Sequence, residues 1–166
     1  KGIMRAAVMI QMTWPGAPTV YYGDEAGMVG WTDPDNRRSY PWGKQDWELI
    51  EFHKDMIRIH KKYECFRSGS YKSIASGSHW ICYGRFNKKL QAVILINNRR
   101  EMLTVDLPIW QIGILENACL KRVIQTTQST YNIGEVMERA EDGILHVTVG
   151  PQTASVYIAA KNVEEN

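Results

Sequence analysis

The hydrophobic period of the chain changes once, near Ser68-Gly69. Before that point apolar residues recur at helical spacing; after it they alternate or run in short blocks, as strands do. Ile3 to Trp14 is almost continuously apolar, broken by Arg5 and Gln11, and predicts a helix buried on most sides. Pro15-Gly16-Ala17-Pro18 ends it, because proline removes a backbone donor and glycine permits the turn. Thr19-Val20-Tyr21-Tyr22 is β-branched and aromatic, and predicts a short strand buried on both faces. Gly23 to Gly43 is a long loop rich in Gly, Asp, Pro, Asn and Trp, and loops of this length inside compact domains are often functional.

An amphipathic helix is predicted over Asp46–Tyr63. Leu49, Phe52, Met56, Ile59 and Tyr63 recur at spacings of three and four, with Ile50 and Ile57 widening the stripe. Asp46 is the predicted N-cap. Glu48 and Glu51 sit near the positive end of the helix dipole, and Lys61 and Lys62 near its negative end. Beyond Gly69 the predicted strands are Tyr71–Ala75, Trp80–Phe86, Leu90–Ile96, Met102–Leu107, Leu120–Thr126, Ile144–Val149 and Ala154–Ala159. Turn signals such as Ser76-Gly77-Ser78, Asn97-Asn98 and Asp142-Gly143 separate them, which predicts an antiparallel sandwich. Thr127 to Arg139 has no clear period.

A strand buried on both faces needs neighbours on both sides, and in a parallel sheet those come from other βα units. Residues 3–63 supply one strand and no partner, so they read as a slice of a larger α/β fold, cut within a helix at Lys1. The predicted fold class is therefore mixed. Residues 1–66 form the last βα unit of a TIM-barrel segment, mainly helical, and residues 67–166 an antiparallel all-β sandwich. Apolar side chains meant for the absent neighbours, among them Met4, Val8, Ile10 and Val20, should collapse onto the sandwich or drive self-association.

Composition narrows the function by exclusion. A hydrophobic content of 44% supports a real core. The net charge of +2 and the scattered basic pairs Lys61-Lys62, Lys88-Lys89 and Arg99-Arg100 argue against nucleic acid as a partner. No apolar run approaches the ~20 residues of a membrane span. The cysteines Cys65, Cys82 and Cys119 are widely spaced without a CxxC pair, which predicts reduced thiols in a cytoplasmic protein. His53 and His60 share a helix face but lack a third ligand, so neither a metal nor another cofactor is expected.

Pro15 to Met28, reading PGAPTVYYGDEAGM, resembles the eighth-strand motif of the α-amylase superfamily, roughly PG-x-P-x-IYYGDE-x-GM. Asp33 to Trp42, reading DPDNRRSYPW, resembles the DPDCRRPMPW loop of the neopullulanase, cyclomaltodextrinase and maltogenic-amylase group. The likeness is specific over residues 14–42 and weak elsewhere. It implies that Ile3–Trp14, Thr19–Tyr22 and Asp46–Tyr63 are the seventh helix, eighth strand and eighth helix of a catalytic barrel, followed by the family's all-β domain. It also implies that Gly23–Gly43 is a wall of the sugar cleft, since barrel active sites lie at the C-terminal ends of the strands.

Glycoside hydrolysis needs two carboxyl groups flanking the scissile bond, about 5–5.5 Å apart in retaining enzymes. Asp24 and Glu25 are adjacent, and at a strand end their side chains would diverge, so hydrogen bonds that fix the loop are their structural reading. The resemblance places the family's catalytic carboxylates upstream of Lys1, so this chain carries no catalytic residue and is expected to be inactive alone. It implies that Asp33 and Arg37 hydrogen-bond a glucose unit, with Trp31, Tyr22 and Glu25 completing the candidate substrate-binding set. A carboxylate and a guanidinium fork suit vicinal hydroxyls, and an indole offers an apolar face to a sugar ring. The alternative for Asp33 and Arg37 is a surface ion pair that orders the loop. Asn36, Ser39 and Tyr40 depart from the group's usual Cys, Pro and Met, and Trp31 stands where a small residue is usual.

The implied function is the C-terminal part of an α-glucan-acting glycosidase. Two other readings stay open: a fragment of a non-catalytic amylase-like interaction protein, and a carbohydrate-binding sandwich.

Overall fold

The computed structural model describes residues 1–115 and 117–160. Helix α1 spans Gly2–Thr13, α2 Trp47–Lys62 and the short α3 Cys65–Ser68. Eight strands follow: β1 Ser70–Gly77, β2 Trp80–Phe86, β3 Leu90–Asn97, β4 Leu103–Pro108, β5 Ala118–Thr126, β6 Tyr131–Glu141, β7 Ile144–Val149 and β8 Thr153–Ala160. They form one antiparallel sheet of order β1-β2-β3-β8-β5-β6-β7-β4, curled until its two ends, β1 and β4, come into contact.

This corrects the expected fold class. The chain is 25% helical, and its architecture is an all-β, nearly closed sheet carrying helices rather than a mainly helical barrel segment. Among the described residues no strand precedes Ser70. Thr19–Tyr22 has strand-like side chains, but no neighbouring strand offers it backbone partners; Val20 is half-buried and Tyr21 and Tyr22 are exposed. The second correction is β6. It falls in the segment without a readable period because nearly every residue along it is exposed, so neither face imposes alternation.

The sheet is apolar on both faces where it is most central. From β3, Ala92, Ile94 and Ile96 pack outward against α1 and α2, while Val93 and Leu95 point into the curl. From β8, Ala154, Val156 and Ile158 face the helices, and Tyr157 and Ala159 the interior. Two-sided burial explains why these strands read as continuous hydrophobic blocks. Val8, Met9 and Met12 of α1 and Leu49, Phe52, Met56 and Ile59 of α2 complete the outer core. Val8 has thus lost its exposure, whereas Met4 remains exposed.

The helices are fastened as well as packed. Asp46 caps α2 by accepting the Leu49 N–H at 3.2 Å. The buried Arg5 meets Glu48 at 3.1 Å and donates to the Thr127 and Gln128 carbonyls, tying both helices to the β5–β6 turn. His60 donates from Nδ1 to the Met12 carbonyl at 2.7 Å. At the other end of α1, the buried Arg85 of β2 donates to the Thr13 carbonyl at 2.7 Å and the Gly69 carbonyl at 3.0 Å. Thr13 Oγ1 lies 2.6 Å from the Tyr83 hydroxyl, and Trp14 rests against Tyr71 and Tyr83 with ring centroids 4.9 and 5.2 Å away.

All three cysteines are free; Cys65 and Cys82 are buried and Cys119 is exposed. Burial pushes the Cys65 thiol up to about 11 and the Cys82 thiol higher still. At pH 8 the folded protein should therefore react with a thiol reagent at Cys119 alone, with the other two labelled only after unfolding. Rapid labelling of three equivalents would contradict this burial. No helix of the described residues is long and apolar enough to cross a membrane.

Candidate functional site

The segment leaving α1 turns sharply because its glycines permit it. Gly23 and Gly27 have φ of 90° and 76°, a left-handed backbone that side chains disfavour. Their turn is closed by bonds from Ala26 N–H and Met28 N–H to the Gly23 carbonyl at 3.0 and 2.9 Å. The Glu25 carboxylate accepts the Gly23 N–H at 3.0 Å, so it is used in fixing its own turn. Asp46 N–H donates to the Ala26 carbonyl at 3.0 Å, which anchors the turn to the start of α2. Desolvation, then the nearby Glu25 carboxylate, raises the Tyr40 phenol above its ordinary range and marks the two as neighbours.

Further along, a single 3-10 turn, Asp35–Arg37, brings residues four apart together. Arg37 Nε donates to Asp33 Oδ1 at 2.6 Å and Nη2 to Oδ2 at 2.8 Å, a two-pronged pair in which both side chains are 62% exposed. Only part of each group's capacity is used. Three guanidinium N–H groups and the outer lone pairs of the carboxylate stay open to a ligand. The Tyr22 hydroxyl donates to the Arg38 carbonyl at 3.0 Å and ties the first turn to the second. Trp31 is 85% exposed, and Trp42, also exposed, lies 4.6 Å from Tyr40 between ring centroids.

Between the two turns is a hollow of about 190 Å³ lined by Tyr21, Tyr22, Asp24, Met28 and Asn36, among others. Of the residues selected from sequence, Tyr22 lines it. Asp33 and Arg37 stand together on the exposed turn beside it, Glu25 points into its own turn, and Trp31 stands apart from these contacts. Asp24 and Asn36 are the hollow's unselected polar residues. Asn36 was signalled by sitting between Asp33 and Arg37 and by departing from the group's usual Cys. The described residues hold no group of three or more His, Cys, Asp or Glu fit for a metal ion.

No protein-family model matches the chain. It is 38% identical over 82 residues to an amylopullulanase of Thermoanaerobacter thermohydrosulfuricus, covering 49% of this chain and 6% of that protein. It is 36% identical over 113 residues to neopullulanase 2 of Thermoactinomyces vulgaris, covering 66% of this chain and 19% of that protein. Its fold superimposes on the α-amylase of Anoxybacillus with a TM-score of 0.80 at 25% identity, over 99% of this chain and 33% of that one. The chain thus spans about a third or less of the proteins it matches. It is a homologue of the α-amylase superfamily of glycoside hydrolases. Within that superfamily the likeness is to the amylopullulanases, neopullulanases and cyclomaltodextrinases, and it is consistent with a C-terminal region of such proteins.

Proposed function

We propose that the chain is the C-terminal part of an α-glucan-acting glycosidase and that its Gly23–Gly43 loop forms one wall of the substrate cleft. Residues 1–66 belong with the catalytic region of the parent, and residues 67–166 are the domain that follows it. The observation that carries this reading is the Asp33–Arg37 pair, held at 2.6 and 2.8 Å on an exposed turn with donors and acceptors to spare. A structural pair of this exposure would contribute only ~0–1 kcal/mol to the fold, so stability is a weak reason for its geometry. Tyr22 and Trp31 add aromatic surface, and Glu25 acts through the turn that holds Tyr22 in place. The catalytic carboxylates lie in the rest of the parent, and the chain alone has no hydrolytic activity. Its three free thiols support a cytoplasmic setting.

The test is titration of the 166-residue chain with maltohexaose, alongside Asp33→Ala and Arg37→Ala variants. Each substitution should weaken loop-site binding about tenfold, the range for a hydrogen bond to a charged group, with little change in melting temperature. Unchanged loop-site affinity in both variants, or release of reducing sugar by the chain itself, would refute the assignment.

A further inference from the structure

We propose a second oligosaccharide-binding surface, built on the β1–β2 and β3–β4 turns around Trp80 and separate from the Gly23–Gly43 loop. It rests on the reading of the parent as α-glucan-acting, which sets the class of sugar. An open polar basin of about 500 Å³ lies between these turns, lined by His79, Trp80, Asn98, Arg99, Arg100 and Glu101. It adjoins an apolar hollow of about 320 Å³ between α1 and the sheet, which shares His79, Trp80 and Asn98 and continues over Ile81 and Ile96 to Ile3, Ala7 and Ile10 of α1. Trp80 thus stands at the boundary between a polar and an apolar surface. That is where an indole serves a sugar ring, with its face toward C–H groups and fixed polar groups toward the hydroxyls.

The basin is rigid before any ligand arrives. His79 holds a left-handed φ of 61° at the tip of the β1–β2 turn, and its carbonyl accepts the Asn98 N–H at 2.8 Å. The buried Asn97 side chain donates to the Glu101 and Gly150 carbonyls at 3.1 and 2.8 Å and accepts the Arg99 N–H at 3.0 Å. Gly77 lies directly beneath the Trp80 indole, which a Cβ there would strike. Both turns are therefore locked to one another, which reduces the ordering cost of binding. Arg99 pairs with Glu101 at 2.9 Å, whereas Arg100 makes no ion pair among the described residues. Guanidinium donors, one carboxylate acceptor and an amide beside an indole suit a neutral polyol. Glu101 neutralises Arg99, so Arg100 alone is left as a charged donor, and the neighbouring indole favours a sugar ring over a bare anion.

The experiment follows the tryptophan indole N–H signals of the ¹⁵N-labelled 166-residue chain during titration with maltohexaose. In an Asp33→Ala background, where loop-site binding is weakened about tenfold, the Trp80 signal, assigned with Trp80→Phe, should move saturably. Adding the exposed Arg100→Ala change should lower that affinity at least about fivefold. A Trp80 signal that does not move, or an affinity untouched by Arg100→Ala, overturns the second surface. The two sites fail separately. Binding by Arg100→Ala but not by Asp33→Ala leaves the loop assignment standing and removes this one. Binding by Asp33→Ala but not by Arg100→Ala does the reverse.

Discussion

Truncating Phe52 to alanine is expected to lower stability by about 4 kcal/mol and the melting temperature by roughly 8–16 °C for a chain of this size. Phe52 has no exposed surface; it sits in the outer core where α2 meets the sheet, edge-on to Tyr131 with ring centroids 4.8 Å apart. Its loss removes the transfer free energy of a whole ring and leaves a cavity between two rigid elements. The Tyr131 hydroxyl also donates to Asp55 at 2.9 Å, so the ring of Tyr131 is pinned and cannot swing in to fill the gap. Denaturant titration with unchanged slope measures the cost. A loss under about 1 kcal/mol would mean that α2 is not fixed on the sheet as described.

The second large effect concerns Arg85. Its replacement by methionine keeps the volume but strips the donors from the Thr13 and Gly69 carbonyls, at an expected cost of about 2–3 kcal/mol. Two opposing contributions set that figure. Burial already lowers the guanidinium below the ordinary arginine range, and Nε has no partner, so removing the charge recovers some desolvation cost. Against this, a buried carbonyl at the negative end of α1 and a part-buried one at Gly69 are orphaned. Because Arg85 holds the point where α1 hands over to the Trp14–Gly43 segment, limited proteolysis within that segment should accelerate as well. Full stability with unchanged proteolysis would show that aromatic packing of Trp14 alone holds the junction.

How much of this was legible in the sequence depended on whether a residue's burial had one cause. The α2 helix was readable to within a residue, because one stripe faces one core and Asp46 and the terminal charges mark its ends. The strands predicted beyond Gly69 also emerged, since turn residues such as Asp142, with φ of 48°, punctuate them. Thr19–Tyr22 misled because β-branched and aromatic side chains state a preference, whereas a strand also requires a neighbour. The strand β6 was hidden for the opposite reason. It has a neighbour, β5, but little burial, and Ile133, Val136 and Met137 are all exposed. In the candidate site, Asp33 and Arg37 stood out through the resemblance of their loop, and the 3-10 turn supplies the reason they meet. Glu25 differed because its nearest donor is its own turn's backbone, a contact that no pattern of residue types reveals.

The two-sided character of β3 and β8 bears on how such a domain can be inherited or transplanted. Their outward row, Ala92, Ile94, Ile96, Val156 and Ile158, is dry only because α1 and α2 lie across it. A recombination breakpoint at Gly69 would look neutral in sequence, since it falls where the hydrophobic period changes. It would nevertheless strand a greasy plate with no lid. The smallest heritable module is therefore the sheet together with its two helices, and a β-domain exchanged between relatives should travel with the helices that fit its outer face.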